Sequence, residues 1–503
     1  MNIKKEYFQL IENSKVYEIL EPTPLSYSQN LSKKLKNQIY LKREDLQKVF
    51  SFKIRGAFNK IANLAVSDRA LGIITASAGN HAQGVAFSGS YFNCKTLIVM
   101  PKTTPTIKIN AVKKFGAEVL LVGDSFQESA NYAIDLAKKE QLLFVHPYDD
   151  PLVIAGQGTI AKELLEQLAT IDYIFLPIGG GGLASGVGAY IKEVKPEIKI
   201  IGVEPYEAPS MYEALKANQR VSLDWVGNFA DGVAVKQVGE ENFRLCSEVI
   251  DDIILVHTDE ICSAVKDAFE DIRVILEPSG ALSIAGAKKY IKLNKLEKKN
   301  IVAIASGANV NFNRLRHIAE RAELGEKKEI IVAVELDEKP GSLKRFCISL
   351  GERSITEFNY RYAEEKKAQI FVGISIINRE DKEKLFDTLR TNNIIFEDLS
   401  NSELAKVHIR HMIGGRVRSE HRERIIRFEF PEKLGALMYF LETMNSKWNI
   451  SLFHYRSHGS DRARVLVGLQ VPTEEDESFN EFLKVLDYQY WDETDNIACN
   501  LFL

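Results

Sequence analysis

The sequence predicts an α/β domain with parallel, twisted sheets, followed by two ferredoxin-like α+β units. Three observations predict it. From about residue 40 to 310, short continuous apolar runs alternate with helical periods, and apolar runs without polar alternation suit strands covered on both faces of a parallel sheet. That rhythm breaks at Ala322-Glu323-Leu324-Gly325-Glu326-Lys327-Lys328 and then restarts. Beyond the break the chain repeats itself, which marks a duplicated unit. At 503 residues the chain is too long for a single core.

The predicted strands are residues 71–75, 96–100, 118–122, 173–178, 198–203 and 301–305, with helices such as 80–90 and 182–194 between them. In the repeat, Glu338-Lys339-Pro340-Gly341-Ser342-Leu343 matches Glu432-Lys433-Leu434-Gly435-Ala436-Leu437. Phe358-Asn359-Tyr360-Arg361 matches Phe453-His454-Tyr455-Arg456, and Val372-Gly373 matches Val467-Gly468. The spacing, 338 to 432, 358 to 453 and 372 to 467, stays at 94 or 95 residues. The first copy reads strand 330–336, helix 341–350, strand 354–361, strand 369–376, helix 382–391 and strand 394–398. That order is the βαββαβ unit. The expected domains are residues 1–325, 326–402 and 424–503, with a linker over 403–423. The arginine-rich stretch 416–427 reads as solvated linker, with a phosphate-binding patch as the alternative.

Composition excludes several classes. A net charge of -4 gives no electrostatic reason to bind nucleic acid or acidic membranes, and no apolar run approaches the ~20 residues of a membrane helix. Residues 1–20 lack the apolar core of a signal peptide and carry acids that transit peptides avoid. The five cysteines, Cys94, Cys246, Cys262, Cys347 and Cys499, are scattered and free of C-x-x-C spacing. A reducing, cytoplasmic setting is expected, and no metal.

Three motifs carry chemistry. Lys53 stands in Ser51-Phe52-Lys53-Ile54-Arg55-Gly56-Ala57. Gly179, Gly180, Gly181 and Gly182, with Leu183, follow a strand and open a helix, where backbone amides approach an anion closely. A tight turn or a nucleotide site would use the same glycines, although neither the dinucleotide pattern nor a P-loop ending is matched. Ser306-Gly307-Ala308-Asn309 is a late small polar turn. An amine, an anion cradle and a hydroxyl are what a protein needs to hold pyridoxal phosphate. A further strand-to-helix junction runs Thr75-Ala76-Ser77-Ala78-Gly79-Asn80-His81-Ala82-Gln83-Gly84. There Ser77 and Asn80 are expected to cap the helix, or its exposed amides to hold a substrate carboxylate.

These motifs, in this order, resemble the threonine dehydratases, members of the tryptophan-synthase-like (fold type II) class of pyridoxal 5'-phosphate enzymes. Glu277-Pro278-Ser279-Gly280-Ala281 and Phe229-Ala230-Asp231-Gly232-Val233-Ala234-Val235 are similar to that family as well, and with the tandem tail the whole chain resembles its biosynthetic, feedback-regulated branch. The resemblance implies that Lys53 forms the Schiff base and that Gly179, Gly180, Gly181, Gly182 and Leu183 bind the phosphate. It further implies that Asn80 meets the ring hydroxyl, that Ser306 faces the ring nitrogen, and that Ser77, Ala78, Gly79, Asn80 and His81 take the substrate.

An uncharged serine at the ring nitrogen makes a weaker electron sink than a carboxylate would, which favours β-elimination over transamination. Lys53 then serves as general base, and its pKa must be depressed. The expected reaction converts L-threonine to 2-oxobutanoate and ammonia. Serine dehydration, racemisation or β-replacement are rivals within the enzyme class, and a non-catalytic amino-acid sensor is the rival outside it. The tail resembles ACT-like regulatory modules, for which oligomerisation alone is the plainer role. The family implies isoleucine as inhibitor, valine as opposing activator and a homotetramer, with Tyr360 and Tyr455, equivalent in the repeat, expected to line effector sites.

Overall fold

A computed structural model describes residues 3–337, 342–351, 353, 355–362, 367–411, 422–431, 436–445, 447–456 and 461–502. The chain divides between Leu315 and Arg316 into two compact units.

The first unit has ten strands: β1 Leu25–Tyr27, β2 Gln38–Arg43, β3 Ile73–Ala76, β4 Thr96–Met100, β5 Glu118–Leu121, β6 Leu143–Phe144, β7 Tyr173–Pro177, β8 Lys199–Pro205, β9 Asp252–Val256 and β10 Asn300–Ala305. They form a six-stranded sheet, β1-β2-β10-β7-β8-β9, and a four-stranded sheet, β5-β4-β3-β6. Every pairing is parallel except β1 with β2. β3 and β4 are buried along their whole length, as their unbroken apolar text requires.

Three helices pack side by side and fix the geometry of the site: Lys53–Ala62, whose apolar residues join the core of the smaller sheet, and Pro151–Gln167 and Gly182–Val194, whose apolar residues join that of the larger. They approach closely through glycines. A Cβ on Gly156 would lie 2.5 Å from the Arg55 carbonyl, and one on Gly186 would lie 2.4 Å from the Ile154 carbonyl. The helix that starts at Lys53 and the helix that starts at the glycine cradle therefore pack on opposite sides of one shared helix. A buried charge network pins the first of them. Arg55 donates to Glu44 at 2.7 Å and to Glu163 at 2.5 Å, and Lys42 reaches Glu163 at 2.6 Å. The run Lys42-Arg43-Glu44-Asp45 is thus buried.

The second unit holds two four-stranded antiparallel sheets. The first has β11 Glu329–Asp337, β12 Ile355–Tyr362, β13 Lys367–Ser375 and β14 Ile395–Asp398, in the order β12-β13-β11-β14. The second has β15 Glu423–Pro431, β16 Asn449–Arg456, β17 Arg462–Gln470 and β18 Gln489–Asp492, in the order β16-β17-β15-β18. This is the ferredoxin-like order twice over. Even the irregularity is copied: the register shifts between Ile355 and Glu357 in one sheet and between Ile450 and Leu452 in the other.

Alternation along the strands divides the burial. In β11, Val332 and Val334 join the core under the first copy's own helices, whereas Ile331 and Ala333 enter a third core shared with Ile425 and Leu466 of the second copy. Leu404, Ala405 and Ile409 also enter this shared core. Residues 403–411, assigned to the linker by sequence, are thus helical (Glu403–Val407, then Ile409–His411) and packed inside. The described arginines of the 416–427 stretch are ion-paired rather than free for phosphate. Arg422 and Arg424 meet Asp476, and Arg427 meets Glu493. The rest of that stretch lies outside the described residues. Tyr360 and Tyr455 hold equivalent backbone registers, opposite Ile370 and Val465; their side chains lie outside the described residues.

Candidate active site

Open parallel sheets bind ligands at the carboxyl ends of their strands. β3 runs into residues 77–81, β7 into 179–183 and β10 into 306–309. The motifs separated in sequence are joined by direct contacts. The Phe52 amide donates to the Ser306 carbonyl at 3.1 Å, and Ser51 forms a bridge with Gly307. The Glu277 amide donates to the Gly307 carbonyl at 3.2 Å, and the Asn80 side chain donates to Glu277 at 2.6 Å. A Cβ on Gly84 would lie 3.1 Å from the Lys53 carbonyl.

Lys53 opens its helix, and its Nζ donates to the Pro147 carbonyl at 2.8 Å. Among the described residues it meets no carboxylate. The buried lysines elsewhere do: Lys42 pairs with Glu163, Lys288 with Asp267 and Lys406 with Glu403. Burial without a counter-charge lowers the Lys53 amine to about 8.

The next residue after Pro147 builds the cradle. A Cβ on Gly180 would lie 2.3 Å from the Tyr148 ring, and one on Gly179 would lie 2.9 Å from the Val233 Cα. Gly181 adopts φ 103° at the helix N-cap, a conformation open to glycine. The amides of Gly182, Leu183 and Ala184 have no intrahelical partner by position, and no oxygen of the described residues accepts from them. The loop therefore presents buried donors without a protein acceptor among the described residues, at a helix N-terminus, a setting that suits an anion.

At the β3 junction the structure corrects one expectation. The N-cap of the helix Asn80–Tyr91 is Gly79, with no side-chain cap. Ser77 accepts from the Gly79 amide at 3.3 Å, and Asn80 turns away to Glu277. Among the described residues no acceptor covers the first-turn amides, and nothing beyond the chain neighbours lies within 4 Å of where a Gly79 Cβ would be. Ala78 is half-buried beside them. His81 is buried, its Nε2 at 3.1 Å from the Val145 carbonyl. Burial and the Lys53 charge push it down to about 3, so its ring is neutral at ordinary pH. Ser306 is buried and donates to the Ser279 carbonyl at 3.3 Å.

Sequence reasoning quoted Glu277 and Asn309 in motifs without giving them roles. Glu277 is buried, and burial together with the nearby Asp231 charge pushes its carboxyl up to about 7. Asp231 itself, partly exposed, is held well below the usual range by Lys108 and Arg314, at 2.6 and 3.1 Å, against the opposing effect of its partial desolvation. An acid directly before a helix-starting proline is the signal the text offers, but only tertiary contact shows where it points.

The residues present fit pyridoxal phosphate: an enclosed amine lacking a counter-charge, uncommitted amides at a helix start, and an uncharged hydroxyl at Ser306. No group of residues suited to a metal ion occurs among the described residues, and no helix there is long and apolar enough to cross a membrane.

Comparison with known proteins agrees with the geometry. The family model of pyridoxal-phosphate dependent enzymes matches residues 16–307. The model of the C-terminal regulatory domain of threonine dehydratase matches 320–409 and again 414–503. The chain is 51% identical over 499 residues to the biosynthetic L-threonine dehydratase IlvA of Pasteurella multocida, covering 99% of this chain and 97% of that protein. It is 48% identical to the mitochondrial threonine dehydratase of Saccharomyces cerevisiae, covering 99% and 89%. Among solved structures, the processed form of threonine deaminase isoform 2 from Solanum lycopersicum aligns with a TM-score of 0.63 at 49% identity, covering 64% of this chain and 88% of that one. Serine racemase from Dictyostelium discoideum aligns at 0.56 and 33%, covering 61% and 98%. The first unit alone would leave dehydratase and racemase side by side; with the regulatory tail included, the chain belongs to the biosynthetic L-threonine dehydratase family, pyridoxal-phosphate-dependent lyases with a C-terminal regulatory domain.

Proposed function

We propose that this chain converts L-threonine to 2-oxobutanoate and ammonia under feedback control by isoleucine, opposed by valine, and that it works as a homotetramer in the cytoplasm. The observation that carries the catalytic reading is Lys53, an enclosed amine with a carbonyl partner and no carboxylate.

Lys53 would hold pyridoxal phosphate through Nζ. The amides of Gly179, Gly180, Gly181, Gly182 and Leu183 would take its phosphate, Asn80 its ring hydroxyl and Ser306 its ring nitrogen. Once bound, the cofactor supplies an electron sink for the carbon that loses a proton. The uncovered amides of residues 77–81 orient the substrate by its carboxylate. Lys53 Nζ, with a pKa lowered to about 8, has a usable neutral fraction near physiological pH and takes the Cα proton. The β-hydroxyl takes up one proton as it leaves as water, which balances the proton lost from Cα, and hydrolysis of the released enamine gives 2-oxobutanoate and ammonia. His81, neutral and tied to Val145, contributes its backbone amide rather than an acid. Tyr360 and Tyr455 would line the effector sites, a reading supported by their equivalent registers.

Purified protein supplied with threonine should form 2-oxo acid, serine being compared alongside, and isoleucine should suppress the rate. Lys53→Ala should abolish turnover. A chain ending near residue 325 should keep activity and lose the isoleucine response. No 2-oxo acid from threonine would sink the catalytic reading, and isoleucine inhibition of the truncated chain would sink the assignment of the sensor to the tail.

A further inference from the structure

Asn80 is held from both ends. Asn309 Nδ2 donates to the Val49 carbonyl at 2.8 Å and to Asn80 Oδ1 at 2.7 Å, using both of its hydrogens. Asn80 Nδ2 donates to Glu277 Oε1 at 2.6 Å. The direction of this chain is fixed by chemistry. The Val49 carbonyl can only accept, so Asn309 cannot be turned over without setting oxygen against oxygen. Asn80 cannot be turned over either, because its oxygen would then face the Glu277 carboxylate. One hydrogen of Asn80 Nδ2 is left over, and among the described residues nothing accepts it.

We propose that Glu277 is a positioning residue for the cofactor: through Asn80 it fixes a single hydrogen-bond donor toward the ring hydroxyl oxygen of bound pyridoxal phosphate. The inference rests on the reading of Asn80 given above. An ionised Glu277 is the acceptor that keeps Asn80 pointed; a protonated one is a weaker acceptor and lets the amide swing. The groups facing Glu277 are Asp231 from the short helical turn Asp231–Val233, Lys108 from the helix Thr106–Lys113, Asn80, and Ser279 on its own helix. Their balance, with burial, puts its carboxyl at about 7. The pointing therefore weakens as the pH falls through neutrality.

The test uses the full-length holoenzyme with Glu277→Ala, Glu277→Gln, Asn80→Ala and the Ala double variant. Cofactor retention is read by equilibrium dialysis, and the visible absorption band is followed from about pH 6 to 9. Loss of one charge-assisted hydrogen bond corresponds to about tenfold weaker retention. Glu277→Ala and Asn80→Ala should each show that loss and the same band shift. The double variant should be no worse than either single one, because the two act as one unit. Glu277→Gln, an acceptor without a charge, should hold the cofactor about as the parent does at the acid end of the range, and should flatten the band's change between about pH 6 and 8. If Asn80→Ala alters retention and band while Glu277→Ala alters neither, the inference is overturned and the reading of Asn80 stands. If neither variant alters them, both fall. Should Glu277→Ala not fold, the Gln variant decides: a pH step like that of the parent protein overturns the inference.

Discussion

Removing the Lys53 amine should stabilise the cofactor-free protein, and the gain should depend on pH. An ordinary lysine titrates near 10.5, and enclosure lowers Lys53 to about 8. At about 1.4 kcal/mol per pH unit, that difference costs the folded state about 3 kcal/mol wherever both states are protonated. The residue keeps some exposure, which trims the figure to about 2–3 kcal/mol. Below about pH 8 the folded state bears the whole cost. Between about 8 and 10.5 the unfolded chain holds more protons than the folded one, so stability rises with pH until the cost is gone. Lys53→Met removes the titrating group and also the bond to the Pro147 carbonyl, which takes back about 1 kcal/mol. The variant stripped of cofactor should thus be about 1–2 kcal/mol more stable than the stripped parent at pH 7, with the advantage lost or reversed near pH 10. Other lysines titrate identically in both proteins and cancel in the difference. Chemical denaturation of the two stripped proteins at several pH values measures it, following the transition of the first unit, since a chain of two units need not unfold in one step. A gap that stays constant from pH 7 to 10, or a variant less stable at pH 7, would refute the claim that Lys53 is buried without a counter-charge.

Two further outcomes follow from the packing of the same site. Gly180→Ala would place a Cβ 2.3 Å from the Tyr148 ring, well inside contact distance, so the ring or the loop must shift. It should cost about 1–3 kcal/mol in stability and at least tenfold in cofactor retention, read by dialysis; unchanged retention would mean that the loop does not hold the phosphate. Glu163→Ala would strip the partner that Lys42 reaches at 2.6 Å and Arg55 at 2.5 Å, leaving buried cations short of charge. A loss of about 3–5 kcal/mol in denaturant titration is expected, and a loss under about 1 kcal/mol would show that water reaches the network.

What the sequence disclosed divides along range of interaction. β4 and the helix Gly182–Val194 fall on the residues their text predicts, because an unbroken apolar run or a helical period is a local signal. The repeat was legible down to its strand order, since duplicated text needs no knowledge of what it contacts. β2 was not legible. Its end, Lys42-Arg43, is charged, and its burial rests on partners: Glu163, more than a hundred residues away, for Lys42, and Asp45 for Arg43. β1, three half-exposed residues, and β6, only two residues long, give no period to read. The same limit applied to the site. Lys53, the glycines and Ser306 announce themselves by residue type and spacing. Ser77 and Asn80 looked like caps because polar residues before a helix usually are; whether Asn80 serves its own helix or Glu277 is settled by a residue nearly two hundred positions later.

The duplicated tail carries a consequence for regulation. Each copy has a private core beneath its helices, yet the opposite faces of both sheets meet in one shared core containing Ile331, Ala333 and Phe371 of one copy and Ile425 and Leu466 of the other. Glu403, partly exposed beside it, accepts from Arg321 at 2.7 Å and from Arg464 on β17 at 2.5 Å, and their charges hold its carboxyl well below the usual range. Close-packed interiors do not deform continuously. A ligand that alters the sheet of one copy must therefore either leave the shared core unchanged, and be silent to the other copy, or move both. An effector is effective only to the extent that it binds the two arrangements unequally, so a device of this build favours effectors that compete for a common equilibrium over two sensors acting independently.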